Sequence, residues 1–147
     1  MKITEKMPSI TGSLHYVAKK NGKVIETFDD HNLVVDAARE LIASIMTGQT
    51  ETSITKIGVG TGITTESVKD ISLKECVYIP LTTRSTTGKT ARFDFIIGKD
   101  QANGLNIHEF GLFAENGTMF SHRVRDKDKD LVKADDLELS GYWEIYF

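Results

Sequence analysis

SLHYVAKKNGKVIETFD, residues 13–29, decides the fold, because apolar and polar side chains alternate on both sides of an Asn-Gly pair. Alternation with a period of two is typical of half-buried β-strands, and Asn-Gly is the strongest short signal for a tight hairpin turn. With the turn centred on Asn21-Gly22, the predicted cross-strand pairs are Ala18–Ile25, Tyr16–Thr27 and His15–Phe28. The stretch therefore predicts an antiparallel β-hairpin.

The same signals recur along the chain. Asn116-Gly117 joins IHEFGLFAE to TMFSHRV and predicts the pairs Phe113–Phe120, Leu112–Ser121 and Gly111–His122. Asn103-Gly104 predicts a third turn, after the strand TARFDFIIG. That strand should place Ala91, Phe93, Phe95 and Ile97 on one buried face. A turn at 85–88 should precede it, and Pro80 favours an edge or bulge position for the strand upstream.

One segment, DAARELIASIMTG at 36–48, departs from the period of two. Its apolar residues follow the helical spacing i, i+3, i+4, i+7 and i+8, and they are Ala38, Leu41, Ile42, Ile45 and Met46. Asp36 is placed as the N-cap and Gly48 as the C′ residue, which predicts one helix over about residues 36–47. One helix among roughly eight or more short strands predicts a mainly β fold, with β-sandwich or jelly-roll-like antiparallel sheets and the helix over one end.

Length and charge limit the class of protein. The 147 residues predict a single β-rich domain, 1–147, with residues 1–12 interpreted as a flexible N-terminal arm. The net charge of −3 argues against direct binding of nucleic acid, which needs clustered Lys and Arg. No stretch approaches the roughly 18 apolar residues of a membrane span, and no secretory signal is visible. We therefore expect a soluble protein without membrane insertion that stays in the cytoplasm until it is used.

Two short patterns begin like known motifs but lack the remaining parts. GVGTG at 58–62 has the glycine spacing of a dinucleotide-binding loop, but it lacks the last glycine of that fingerprint and no apolar helical stripe follows it. HEFGL at 108–112 begins like a zinc-protease motif and holds Leu112 where the second histidine is required. In the predicted register His108 and His122 point to different sides, so we expect no shared metal ion. No cofactor is predicted.

Other candidates for chemistry are also incomplete. The aspartates of RVRDKDKD, 123–130, have the spacing of a calcium loop, but Leu131 and Leu137 occupy the positions that need Gly and Glu. Cys76 lies in an apolar strand pattern, which favours an inert small hydrophobe. Asn116-Gly117-Thr118 is formally a glycosylation acceptor and is better explained by turn chemistry. No catalytic residue is predicted, although carboxylates from separate loops could still meet.

The C-terminal stretch SGYWEIYF, 140–147, is apolar on both faces. Trp143, Ile145 and Phe147 fall on the face predicted to enter the core. Tyr142 and Tyr146 fall on the other face, and tyrosine is enriched at interfaces because it joins an apolar body to a polar tip.

The first hairpin shows the same two-sided character. Its predicted faces hold Leu14, Tyr16 and Ile25 on one side and Val17, Val24 and Phe28 on the other. Apolar strand surface in excess of what one copy can bury favours contact with other chains. The predicted interface residues are Tyr142, Tyr146, Tyr16 and Phe28, and burial within the monomer is the alternative.

The order of HNLVVDAARELIASIMTG, ITKIGVGTG, IHEFGLFAENGTMFSHRV and KADDLELSGYWEIYF resembles small structural proteins of tailed bacteriophages, the kind associated with tails, baseplates or fibres. The resemblance runs from about residue 31 to the end. It implies a non-enzymatic component that forms a symmetric homo-oligomer and docks onto other phage structural proteins. It also implies a location in the virion, and in the host cytoplasm during assembly. It assigns no functional residue.

Three alternatives remain open. A capsid decoration protein is the main alternative within the particle. A carbohydrate-binding β-sandwich module is the second, with Tyr142, Trp143 and Tyr146 as candidates to stack on sugars. The third is a hydrolase that uses carboxylates brought together from loops.

Overall fold

The computed structural model describes residues 9–147, which form one antiparallel sheet and one helix. The elements are β1 (Thr11–Lys20), β2 (Lys23–Val34), α1 (Asp36–Met46), β3 (Ile54–Gly60), β4 (Val77–Pro80), β5 (Thr83–Thr87), β6 (Thr90–Ile97), β7 (Glu109–Ala114), β8 (Met119–Val124) and β9 (Leu137–Tyr146). The strand order is β4-β3-β7-β8-β2-β1-β9-β6-β5. The mainly β prediction is confirmed. Residues 1–8 of the predicted arm lie outside the described residues, and Thr11 and Gly12 belong to β1.

The strands form a single curled sheet, so the predicted β-sandwich or jelly-roll-like pair of sheets is wrong. β2 explains the difference, because its 12 residues extend past β1. Leu33 and Val34, at its end, pair with His122 and Ser121 of β8. This pairing joins strands β4-β3-β7-β8 to strands β2-β1-β9-β6-β5 in one sheet. Alternation along a strand does not show that the strand has different neighbours at its two ends. The number of sheets therefore could not be read from the number of strands.

The first hairpin has the predicted turn at Asn21-Gly22 but a different register. A bulge between Ala18 and Lys19 shifts by one residue all pairs that lie beyond it from the turn. The observed pairs are Ala18–Glu26, Tyr16–Phe28 and His15–Asp29, in place of Ala18–Ile25, Tyr16–Thr27 and His15–Phe28. A one-residue shift moves side chains to the opposite face. Phe28 therefore stacks on Tyr16 inside the sheet, with 5.1 Å between ring centroids, and Ile25 is 52% exposed.

The second hairpin also turns at the predicted Asn-Gly pair, and Gly117 has a φ of +91°. The predicted pairs Leu112–Ser121 and Gly111–His122 are confirmed. A register shift after Leu112 pairs Phe113 with Met119, so the predicted Phe113–Phe120 pair is wrong. The third predicted turn, at Asn103-Gly104, is present with a φ of +90° at Gly104.

α1 lies close to its predicted limits. Asp36 is the first helical residue and Val35 is the N-cap, with no side-chain hydrogen bond to the cap, so the predicted N-cap is wrong by one residue. Gly48 has a φ of +74°, as expected for a C′ glycine. Met46 was expected to face the core and is 81% exposed, because α1 packs mainly on the short strand β8 and its last turn has no cover.

β6 confirms its predicted alternation, with Phe93, Phe95 and Ile97 buried. The predicted turn at 85–88 is wrong, because residues 83–87 form β5 and the chain turns at Gly88-Lys89 instead. A run of Ser and Thr is compatible with a polar edge strand as well as with a turn, and its composition did not separate the two.

The two edge strands, β4 and β5, are consecutive in the chain. Leu81 N donates to the Thr55 carbonyl at 3.0 Å, and Thr82 N donates to the Asp94 carbonyl at 2.8 Å. Residues 81–82 therefore bond to β3 and to β6, which are the second strands from the two edges of the sheet. The predicted edge position of the Pro80 strand is confirmed.

β9 lies between β1 and β6, with its inner face in the core. Trp143 and Ile145 are buried as predicted, whereas Phe147 follows the strand and is 52% exposed, so its predicted core position is wrong. Gly141 faces Tyr16, and a Cβ at this glycine would lie 2.8 Å from the Tyr16 Cα. The glycine allows the centre of β9 to approach β1 closely.

Candidate interaction surface

The outward side chains of β1, β9 and β6 line a groove of about 550 Å³. They alternate with buried residues, since successive side chains of a strand point to opposite faces. We call this feature the outer groove and define it by His15, Val17, Arg92, Asp94, Ile96 and Tyr142.

Tyr142 is held at the centre of the outer groove by both flanking strands. The His15 ring stacks on it with centroids 5.0 Å apart, and the Arg92 guanidinium carbon lies 3.8 Å from its centroid. Arg92 Nη2 also donates to Asp94 at 3.0 Å. Burial would raise the pKa of Asp94, but hydrogen bonds from Arg92 and Thr83 outweigh it and hold that pKa below its ordinary value. Tyr142 is thus presented in one fixed orientation.

The four predicted interface residues divide between the two faces of the sheet. Tyr142 and Tyr146 are half-buried on the outer face, and the Tyr146 hydroxyl lies 2.9 Å from Ser13 Oγ. Phe28 packs against the core, and Tyr16 is 0% exposed. Tyr16 therefore leaves no side-chain surface for another chain. Tyr16 lies on the buried face of β1 with Leu14 and Ala18, and the bulge brings Phe28 of β2 onto that same face.

Sequence reasoning missed the other residues of the outer groove. The alternation of TARFDFIIG placed Arg92 and Asp94 on the outward side of their strand. Nothing in that pattern indicates that β6 lies beside β9 and brings Arg92 onto Tyr142. The sequence predicted which side of its strand each residue occupies. It did not predict the strand order that brings these residues together on one surface.

Arg125 is a buried cation whose side chain is 2% exposed. Its Nε donates to the Tyr16 hydroxyl at 2.8 Å, and its Nη1 donates to the carbonyls of Ile107 and Lys129. Its Nη2 donates to both carboxylate oxygens of Glu26 at 2.9 Å. Burial would lower the pKa of Arg125, but its contacts with Glu26 and Tyr16 raise it. Burial raises the pKa of Tyr16. The guanidinium is fully engaged within the core.

His122 lies between two carboxylates, with 2.8 Å from Nδ1 to Asp70 and 2.8 Å from Nε2 to Glu109. The second Glu109 oxygen accepts from the backbone N–H groups of Gly62 and Lys74. Burial would lower the pKa of His122, but the carboxylates raise it. Burial would raise the pKa of Glu109, but His122 and the backbone donors lower it. These hydrogen bonds tie the loop at 61–76 to β7 and β8.

The glycines of GVGTG make room for this cluster. A Cβ on Gly60 would lie 2.7 Å from Glu109 Oε2, and one on Gly62 would overlap the same carboxylate. A Cβ on Gly58 would lie 2.7 Å from the Phe113 ring. The spacing that resembled a dinucleotide-binding loop is therefore explained by close packing against β7.

The histidines and the acidic loop lie in separate arrangements. His108 Nε2 is 3.4 Å from Asp130, away from the contacts of His122. Asp126 accepts from the backbone N–H of Asp128, and Asp130 accepts from Asn106. Among residues 9–147, no group of three or more His, Cys, Asp or Glu has the arrangement of a metal site.

The chemistry available to these groups is limited by their hydrogen bonds. Both ring nitrogens of His122 face carboxylates, so neither is free to take a proton from a third group. A groove of about 430 Å³ opens beside it. Burial raises the pKa of Cys76, which reduces the thiolate needed for nucleophilic attack. The fold and its surface define a mainly β antiparallel domain with a fixed aromatic and arginine groove.

No family model, curated protein or solved structure matches the chain. Within residues 9–147, α1 is the one helix, and it is too short to cross a membrane.

Proposed function

We propose that this chain is a non-enzymatic structural protein of a bacteriophage virion, which forms a symmetric homo-oligomer and docks onto tail, baseplate or fibre proteins through the outer groove. The observation that carries the proposal is the fixed stack of Arg92, Tyr142 and His15 beside Ile96, which is 46% exposed. The bacteriophage part is supported by the resemblance of residues 31–147 to such proteins. The proposed location is the virion, and the host cytoplasm during assembly.

The outer groove has the residue types found at the centre of protein interfaces. Tyr and Arg are enriched among residues whose truncation weakens binding most. Their side chains are already fixed by stacking and by Asp94, so binding would cost less side-chain entropy. Ile96 and the half-buried Val17 add apolar surface that a partner could remove from water.

A capsid decoration protein would use the same groove to dock onto a preformed shell and would not need to self-associate. The carbohydrate-binding alternative has less support. Trp143 is 0% exposed, and Tyr142 is engaged by His15 and Arg92, whereas a sugar stacks on an open aromatic face.

Sedimentation velocity tests self-association through the outer groove. We expect an oligomer at high micromolar concentration that dissociates in Ile96→Glu, because a buried carboxylate at the interface would lack a partner. Val132→Glu is the matched control, since Val132 is 58% exposed and lies outside the groove. Circular dichroism should show both variants folded. A monomeric wild type would refute the homo-oligomer, and an assembled Ile96→Glu would refute the groove as its interface.

Immunogold labelling of purified particles tests the location. Label on the tail, baseplate or fibres is expected, and label spread over the head would favour capsid decoration. Particles that lack the protein would refute a virion role. Neighbouring reading frames for metabolic enzymes, in place of phage structural proteins, would also count against it.

A further inference from the structure

We propose that Asn21 is a site of spontaneous deamidation, and that the fold protects Asn103 and Asn116 from the same reaction. Each of the three residues precedes a glycine, and all three are exposed, so neither sequence nor exposure separates them. The three residues differ in the hydrogen bonds that each Asn-Gly pair makes.

The reaction needs two free groups. The backbone nitrogen of the glycine loses its proton and bonds to the asparagine Cγ, and the side-chain nitrogen leaves as ammonia. Water then opens either carbonyl of the resulting five-membered imide, which gives aspartate or isoaspartate. The net change is amide plus water to carboxylic acid plus ammonia, with no oxidant or cofactor. A hydrogen bond donated by the glycine N–H must break before that nitrogen can attack, and contacts that hold the asparagine side chain in another orientation must be released before Cγ can meet it.

Asn103 is held at both reacting groups. Its Nδ2 donates to the Lys99 carbonyl at 2.9 Å, and its Oδ1 accepts from Lys133 Nζ at 2.9 Å. The Gly104 N–H donates to the Lys133 carbonyl at 2.8 Å. Because Lys133 is 0% exposed, these contacts anchor the turn to a buried side chain.

Asn116 is held in a similar way within its own turn. Its Oδ1 accepts from the Thr118 N–H at 3.1 Å, and the Gly117 N–H donates to the Ala114 carbonyl at 2.9 Å. The attacking nitrogen and the amide that it must reach are therefore both engaged.

Asn21 lacks these restraints in the part of the chain that the structure describes. Its backbone N–H donates to the Asp136 carbonyl at 2.9 Å, whereas its side chain and the Gly22 N–H have no hydrogen-bond partner among residues 9–147.

The product would alter the hairpin tip. Aspartate adds a negative charge beside Lys20, which already pairs with Asp136 at 3.8 Å. Isoaspartate adds a methylene to the main chain of a two-residue turn with φ of +51° at Asn21 and +79° at Gly22. A longer backbone does not fit that turn, so the tip should open.

Peptide mapping by mass spectrometry tests the proposal on the full chain. Purified protein is aged in mildly alkaline buffer, either folded or in concentrated urea, and the other two Asn-Gly sites serve as internal controls. In the folded protein Asn21 should deamidate at least about tenfold faster than either control, since they must break extra hydrogen bonds. In urea the three rates should converge. Asn21→Asp supplies the reference for the charge-shifted product on ion exchange. Equal folded rates, or a faster reaction at Asn103 or Asn116, would overturn the proposal.

Discussion

Replacing Glu26 with alanine tests how the core holds the Arg125 cation. Arg125 Nη2 donates to both carboxylate oxygens of Glu26 at 2.9 Å, and the Arg125 side chain is 2% exposed. Truncation of the carboxylate leaves that charge buried without its counterion, a change that typically costs about 3–5 kcal/mol. The Glu26 side chain is 23% exposed, so water can enter the space that it leaves. We therefore expect the lower limit, about 3 kcal/mol of unfolding free energy.

Glu26→Gln separates the charge from the hydrogen bond. The amide keeps one oxygen for Arg125 and nearly the same volume, while Tyr16 still accepts from Nε. We expect a loss of about 1.5–2 kcal/mol, in the lower part of the range for a hydrogen bond to a charged group, because one of the two oxygen contacts is kept. Stability should therefore decrease in the order wild type, Glu26→Gln, Glu26→Ala.

Urea unfolding with linear extrapolation measures these differences, provided that the slope m is unchanged among the variants. Glu51→Gln is the control, because Glu51 is exposed and the same chemical change there should stay within about 0.5 kcal/mol of wild type. If Glu26→Ala were as stable as this control, the reasoning about the buried cation would be refuted.

Two further predictions concern the His122 cluster and the centre of β9. The pKa of Glu109 is lowered on folding and that of His122 is raised, so the pair should stabilise the fold most between their ordinary values, pH 4.5 and 6.5. The Glu109 contribution is lost as pH falls through its folded pKa, and the His122 contribution is lost as pH rises through its own. The urea midpoint of wild type should therefore fall more at alkaline pH than the urea midpoint of His122→Gln. Gly141→Ala should cost about 3 kcal/mol by chemical denaturation, the upper end of the usual range for overpacking, because its Cβ would overlap backbone atoms of β1. Gly98→Ala is its control, since that Cβ would make an ordinary contact at 3.6 Å.

The outcomes that contradict these two predictions are distinct. An alkaline decline of equal size in wild type and His122→Gln would show that another group controls that limb. A Gly141→Ala protein as stable as Gly98→Ala would show that β1 and β9 can separate at little cost.

The local structure was largely predictable from the sequence. The three Asn-Gly turns, the alternation of β6 and the helix with its C′ glycine each depend on a few neighbouring residues, and the structure confirms them. Register was less predictable, because the bulge at Ala18/Lys19 moves every pair of the first hairpin beyond it, and the shift at Leu112/Phe113 moves the pair of Phe113 in the second. Neither irregularity is marked by a distinctive residue type in its strand, so the sequence pattern does not indicate it.

The candidate surface was predictable only in part. Tyr142 and Tyr146 were placed on the outward face by the period of two alone. Tyr16 lies instead on the buried face of β1, and the bulge in the first hairpin brings the Phe28 ring beside it. The pairing of His122 with Glu109 depends on two strands and a loop that are far apart in the chain, and no short motif encodes it.

β9, the last strand among residues 9–147, pairs along its length with β1, the first of them, from Thr11–Tyr146 to Lys20–Leu137. Contacts between such distant residues form slowly, because a long loop must close before they are made. During translation β1 therefore waits for its second neighbour until residues 137–146 have been synthesised. Until then its free edge and apolar face are open to aggregation or to chaperones. Substitutions in β9 should accordingly lower the yield of folded protein more than equally buried substitutions in β7 or β8.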